Sequence, residues 1–200
     1  MAILTANNQS LTEITSLPSG VSGGALVLLA TETASSSSTI SFASDIDDTY
    51  DEYVFKLYDI NPSADGAIFQ VNFRDGSSAY DATKTTTWFR ALHSEDGSTH
   101  ASLSYDAAYD VAQGTGIQKL TGSLGNGADE SLAGTLQLFA PSNTTFVKHF
   151  LYRGSMYFNA DGAMDVYAAG YCNVTAAIDG VQFSVDTGNF DGVIKMYGVS

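Results

Sequence analysis

The fold class predicted by the sequence is an all-β, antiparallel two-sheet sandwich, and three observations predict it. Short runs of β-branched and aromatic residues recur between clusters of Gly, Asp, Asn and Ser. Within Val54-Phe55-Lys56-Leu57-Tyr58, Ile68-Phe69-Gln70-Val71-Asn72-Phe73 and Val193-Ile194-Lys195-Met196-Tyr197 the residues alternate, one face large and apolar, the other polar or amphipathic. From residue 25 onward no stretch carries the period of a long helix. Turns this closely spaced argue for two packed sheets, as a jelly roll or a lectin-like sandwich.

Residues 1–24 read as a separate arm and linker, and residues 25–200 as the sandwich domain. In the arm, Ser10-Leu11-Thr12-Glu13 matches the capping box, in which a hydroxyl and a carboxylate satisfy the exposed amides of a helix start. Leu11, Ile14 and Leu17 follow at helical spacing, and Pro18-Ser19-Gly20 stops the run, so a short amphipathic helix is expected. A helix of one or two turns is marginal alone in water, which makes Leu11, Ile14 and Leu17 the expected partner-binding stripe. The following Gly-Ser-rich linker leaves the arm free to reach a neighbour.

Strands are expected over 25–31, 39–43, 52–60, 67–73, 86–93, 117–121, 134–139, 145–152, 154–158, 163–171, 180–185 and 192–198. Asn159-Ala160-Asp161-Gly162 reads as a hairpin turn, and Asp65-Gly66, Asp75-Gly76, Asp96-Gly97 and Asp179-Gly180 repeat the Asp-Gly device. The Gly-Asn-Phe-Asp-Gly run at 188–192 predicts a terminal hairpin between 181–185 and 193–197. Residues 102–130 show weak periodicity and read as a long functional or interfacial excursion with at most one helical turn. Segments 53–58 and 146–152 carry large groups on both faces, so an outside partner is expected to cover some of them.

Composition narrows the function classes. Hydrophobic residues make up 44% of the 200, while charged residues are only 15%, against roughly 25% in an average soluble domain, so most of the chain should fold. Asp and Glu outnumber Lys and Arg 22 to 8, for a formal charge of -14. Such a surface repels nucleic acid and anionic lipid, so neither is expected as a partner. Cys172 stands alone, which rules out an intrachain disulfide, and it reads as a buried inert thiol. The longest N-terminal apolar run, Ala25 to Ala30, is too short to span a membrane and no basic leader precedes it, so cytoplasmic synthesis is expected.

No catalytic motif stands out: there is no Gly-x-Ser-x-Gly elbow, His-Glu-x-x-His, phosphate loop or dinucleotide fingerprint. His93 and His100 flank one turn, with a solvated hairpin end as the plainer reading. The densest chemistry is Asp45-Ile46-Asp47-Asp48-Thr49-Tyr50-Asp51-Glu52, where Asp45, Asp47, Asp48 and Asp51 are candidate calcium ligands, although the spacing is not that of an EF-hand. Gly127-Ala128-Asp129-Glu130 is a second acidic turn. Paired carboxylates suit glycoside hydrolysis, and Trp88, Tyr80, Tyr105, Tyr109, Tyr157 and Tyr167 suit sugar stacking, but acids and aromatics this numerous supply such sets without any function. No cofactor other than the calcium ion is expected.

Four stretches carry a resemblance: 6–18, 33–53 with its Ser-rich start and Tyr50-Asp51-Glu52-Tyr53 end, Leu138-Phe139-Ala140-Pro141-Ser142, and 188–199. Together they are similar to a family of uncharacterised structural proteins of tailed phages, especially those of aquatic bacteria. The resemblance implies a non-enzymatic virion protein, a capsid-decorating or tail or fibre subunit. It implies a homo-oligomer, with a homotrimer preferred, located in the virion and attached to other virion proteins through the arm. The alternative is a receptor- or carbohydrate-binding module at the particle surface that meets a host glycan.

Overall fold

A computed structural model describes residues 26–200. The arm, with Leu11, Ile14 and Leu17, lies outside the described residues. The described residues form twelve strands: β1 (Val27–Ser37), β2 (Thr39–Phe42), β3 (Glu52–Pro62), β4 (Phe69–Arg74), β5 (Lys84–Ser94), β6 (Ala101–Tyr105), β7 (Gln118–Lys119), β8 (Leu132–Phe139), β9 (Lys148–Phe158), β10 (Gly162–Cys172), β11 (Gly180–Val185) and β12 (Phe190–Val199). One 3-10 turn, Ala107–Tyr109, is the helical turn expected in the excursion.

The strands build an eight-stranded sheet, β1-β12-β3-β8-β9-β10-β5-β6, and a four-stranded sheet, β2-β11-β4-β7. With the hairpins β5–β6 and β9–β10 set aside, the first strand pairs with the last, the second with the second to last, and so inward: β1 with β12, β2 with β11, β3 with β8, β4 with β7, all antiparallel. That is a long hairpin rolled on itself, the jelly roll of the two sandwich types expected. The two inserted hairpins extend only one sheet, because β9 pairs with β8 and β10 pairs with β5.

Aromatic residues lock the layers together. Phe183 of β11 lies 5.8 Å from Phe69 of its own sheet and 5.7 Å from Phe55 of the opposite one, and Phe42 meets both Phe55 and Phe183 edge-on. Each of these rings is buried, which stabilises the fold by about 2 to 3 kcal/mol per side chain relative to an exposed one.

Three expectations need correction. The terminal hairpin does not form: β11 belongs to the small sheet and β12 to the large one, so 186–189 is a bridge between layers. Burial decides this, because Phe183 and Phe190 both bury against Phe69 from opposite sheets. Asp179-Gly180 is no turn either, since Gly180 opens β11 and Asp179 pairs with Arg74 at 2.8 Å. The strands expected over 145–152 and 154–158 are one, β9, which runs through Gly154. Gly154 faces Gly134 across the sheet, and the Tyr152 ring crosses both, so that a β-carbon at 154 would strike the Tyr152 hydroxyl. The expected hairpin at 159–162 does form, with Asp161 taking the positive φ of 53°.

The excursion is an internal lid on the sandwich. It supplies β6, an exposed edge strand in which Ala101, Leu103 and Tyr105 alternate with serines, and then crosses to the small sheet, where β7 pairs with β4. Leu120 and Leu124 are fully buried, and Tyr109 stacks at 4.4 Å on fully buried Trp88. It thereby covers the inner face of the added strands, which the four-stranded sheet does not reach.

At the other end of the added strands, Cys172 lies directly between Lys84 and Lys148, and all three are fully buried. The ammonium of Lys84 donates to the Gly116 carbonyl and that of Lys148 to the Val174 carbonyl, both at 2.8 Å. Burial lowers the Lys84 pKa from the ordinary 10.5 to about 8 and pushes the Cys172 thiol up to about 12.

Two outcomes are expected. Gly154→Ala should destabilise the domain by about 1 to 3 kcal/mol in urea unfolding, the range for forcing a methyl into a filled site. Because the folded pKa of Lys84 is depressed, the unfolded chain binds the extra proton between pH 8 and 10.5, so this residue's penalty is full below that window and fades as pH rises through it. Cys172 works in the opposite direction but is common to both proteins. Lys84→Met should therefore gain stability over the parent at neutral pH, and the gain should shrink by up to about 3 kcal/mol as unfolding is measured across that window.

Candidate functional site

Alternation along the strands places residues 149, 151 and 153 of β9, 165, 167 and 169 of β10 and 87, 89 and 91 of β5 on the outer face of the large sheet. The register then aligns one row across all eight strands: Tyr105, Phe89, Tyr167, Arg153, Thr135, Lys56, Lys195 and Thr31. This row is the centre of the candidate site.

Its aromatic half is rigid. Phe89 and Tyr167 stack with centroids 4.8 Å apart and planes within 2°, which is the spacing of neighbouring strands, so both rings stand upright on the sheet. The Arg153 guanidinium lies 5.0 Å from the other face of Tyr167 and is held there by Asp165 at 2.8 Å. Beside this ladder, Leu151, Arg153, Tyr167 and Ala169 line a depression of about 370 Å³. It adjoins a second one of about 310 Å³, bounded by Leu151, Thr85, His149 and Tyr171. Ala169 forms the shared floor, and Leu151 stands 48% exposed between the two.

The cationic half continues the row. The Lys56 ammonium donates to the Thr135 hydroxyl at 3.3 Å, while that of Lys195 sits 5.6 Å from the Tyr58 ring. Three of the eight Lys and Arg residues of the chain thus lie on one line of one face. Val54, which also points outward, is nearly buried by its neighbours alone, so within the two segments the expected surplus of outward apolar groups narrows to Tyr58, Leu151 and, in the loop before β9, Phe146, while β5 and β6 add Phe89, Leu103 and Tyr105.

The acidic stretch behaves differently from its expected role. Ile46 is buried as an anchor, Asp47 accepts from the Thr49 amide at 2.8 Å and from the Tyr53 hydroxyl at 3.2 Å, and Asp45 accepts from the Ser44 hydroxyl at 2.8 Å. Those bonds hold the Asp47 carboxyl below the usual carboxylate range, the Thr49 hydrogen bonds contributing most. Asp45, Asp47, Asp48 and Asp51 are exposed, and the structure does not bring them together: among the described residues no three His, Cys, Asp or Glu side chains converge as metal ligands. At the second acidic turn, Glu130 accepts from the Gly127 amide at 2.7 Å and closes its own loop.

The other candidates also separate. His100 packs edge-on to Phe158, and His93 and His149 line different depressions. Trp88 is fully buried, and both faces of Tyr167 are occupied by Phe89 and Arg153, so neither offers a sugar the open ring face that stacking needs. Phe89, Leu151, Arg153, Lys56 and Lys195 were not singled out from sequence as a site. Alternation put Lys56 and Lys195 on the polar faces of their strands, but nothing short of the strand register aligns the five.

Among the described residues, no helix is long and apolar enough to cross a membrane. Compared with family models, curated proteins and solved structures, the chain matches none of them. The fold and face define a jelly-roll β-sandwich whose larger sheet carries an aromatic and cationic outer row.

The Phe89–Tyr167 stack should contribute about 0.5 to 1.5 kcal/mol of coupling beyond area burial, the range of aromatic pairs. A double-mutant cycle of Phe89→Ala and Tyr167→Ala in urea unfolding checks this, and a coupling near zero would mean that the rings align without attraction.

Proposed function

We propose that the chain is a non-enzymatic structural subunit, assembled as a homo-oligomer through the outer face of its eight-stranded sheet, and that the assembly is a bacteriophage particle. The observation that supports the subunit reading is the half-exposed apolar ladder of Phe89, Tyr167 and Leu151 over a shallow floor, a surface that gains by being covered. The phage assignment rests on the resemblance of the four stretches, and with it the choice of capsid decoration, tail or fibre. A trimer is the preferred state on the same ground. The chemistry of the face, made of upright rings, aliphatic groups and fixed cations, is that of a contact surface. The glycan-binding alternative is less favoured because the Tyr167 faces are taken by Phe89 and Arg153 and Trp88 is buried.

The arm is read as the attachment device, with Leu11, Ile14 and Leu17 buried on a sister subunit or another virion protein. Deleting residues 1–24 should leave thermal unfolding of the sandwich nearly unchanged while weakening oligomerisation or incorporation into particles. Aggregation of the truncated chain would instead assign the stripe to the domain's own core. Antibodies raised against the sandwich should label intact phage particles at regular positions in electron micrographs; labelling confined to unassembled protein would count against the virion reading.

A further inference from the structure

Lys56 and Lys195 are directly opposite one another on adjacent strands, where like charges normally repel and destabilise the pair. Neither forms an ion pair among the described residues; each leans on a neutral neighbour, Lys56 on Thr135 and Lys195 on Tyr58. Arg153 extends the line, with Asp165 as its counter-ion. A chain of formal charge -14 that places three of its eight cations in one row on one face, two of them unneutralised, has left that face electrostatically incomplete.

We infer that this row docks the acidic loop at residues 45–51 of a second copy of the chain, in a head-to-tail contact; the inference rests on the homo-oligomeric reading above. The row from Arg153 to Lys195 spans three strand spacings, about 14 Å, which a seven-residue loop can cover. That loop carries four exposed carboxylates, Asp45, Asp47, Asp48 and Asp51. It is held in shape by buried Ile46, by the Asp47–Tyr53 contact and by backbone bonds that Asp51 donates to the Val199 carbonyl and accepts from the Ala140 amide.

Charge also decides the symmetry. A two-fold contact of this face with itself would lay the cationic row against its own copy, whereas a contact between face and loop pairs opposite signs. Such contacts are heterologous, the kind from which a cyclic trimer is built when the rotation between copies closes. The adjoining apolar groups, Tyr58 and Leu151, supply the area that ion pairs alone lack.

Sedimentation velocity of the full chain at micromolar concentration tests this. The wild type should associate at low salt and less so as salt rises. The pair Lys56→Glu and Lys195→Glu, and separately the pair Asp48→Lys and Asp51→Lys, should each weaken association roughly tenfold or more while melting like the parent. Mixing the two variants should restore association between unlike copies, because row and loop then meet with opposite charge, although a three-membered ring cannot alternate the two and keeps one mismatched contact. A monomeric wild type would overturn both this inference and the homo-oligomeric reading. An oligomer indifferent to both variant pairs, or variants that fail to rescue one another, would overturn only the docking of the loop on the row.

Discussion

An eight-stranded sheet packed on a four-stranded one has more inner surface than its partner can cover, and most of the molecule's particular features follow from that inequality. Four added strands at about 4.8 Å spacing widen one layer by nearly 20 Å. Bare apolar surface of that width would cost far more than the marginal stability of a domain. The chain resolves it with the excursion after β6, which carries Tyr109 onto Trp88 and sends Leu120 and Leu124 between the layers. The central core, where Phe42, Phe55, Phe69 and Phe183 meet, needs no such help because both sheets face it.

The same inequality explains the buried lysines. At the end of β5, β9 and β10 away from Trp88, the long aliphatic stems of Lys84 and Lys148 fill space beside Cys172 and send their ammonium groups to loop carbonyls. One hydrogen bond each offsets only part of the cost of burying the charge, and the depressed pKa of Lys84 reflects the remainder. The Cys172 thiol, pushed up to about 12, stays protonated and unreactive, so this cluster belongs to packing.

Widening the sheet also creates the outer face. Strands β9, β10, β5 and β6 add Arg153, Tyr167, Phe89 and Tyr105 to a row that otherwise holds Thr135, Lys56, Lys195 and Thr31. The two hairpins that burden the interior therefore build the surface on which the proposed assembly depends.

Local chemistry made much of this fold legible. Period-two alternation located β3, β4 and β12, and Asp161 with Gly162 marked the β9–β10 turn, because pleat and turn geometry act over a few residues. By itself the sequence also determined the all-β class, the single buried thiol and the strongly acidic balance. Other features were decided only in three dimensions. Gly154 looks like a break until the Tyr152 ring lies across it, and 181–197 looks like a hairpin until Phe183 and Phe190 enter the core from different sheets. The acidic residues 45–51 resemble a metal loop, yet their oxygens are bonded locally or exposed. The row from Tyr105 to Lys195 joins residues as much as 139 positions apart, between Lys56 and Lys195, through pairings that no local pattern encodes. Which face a side chain takes is a property of its own strand, whereas which side chains meet is a property of the register between strands, and only the packed sheets determine it.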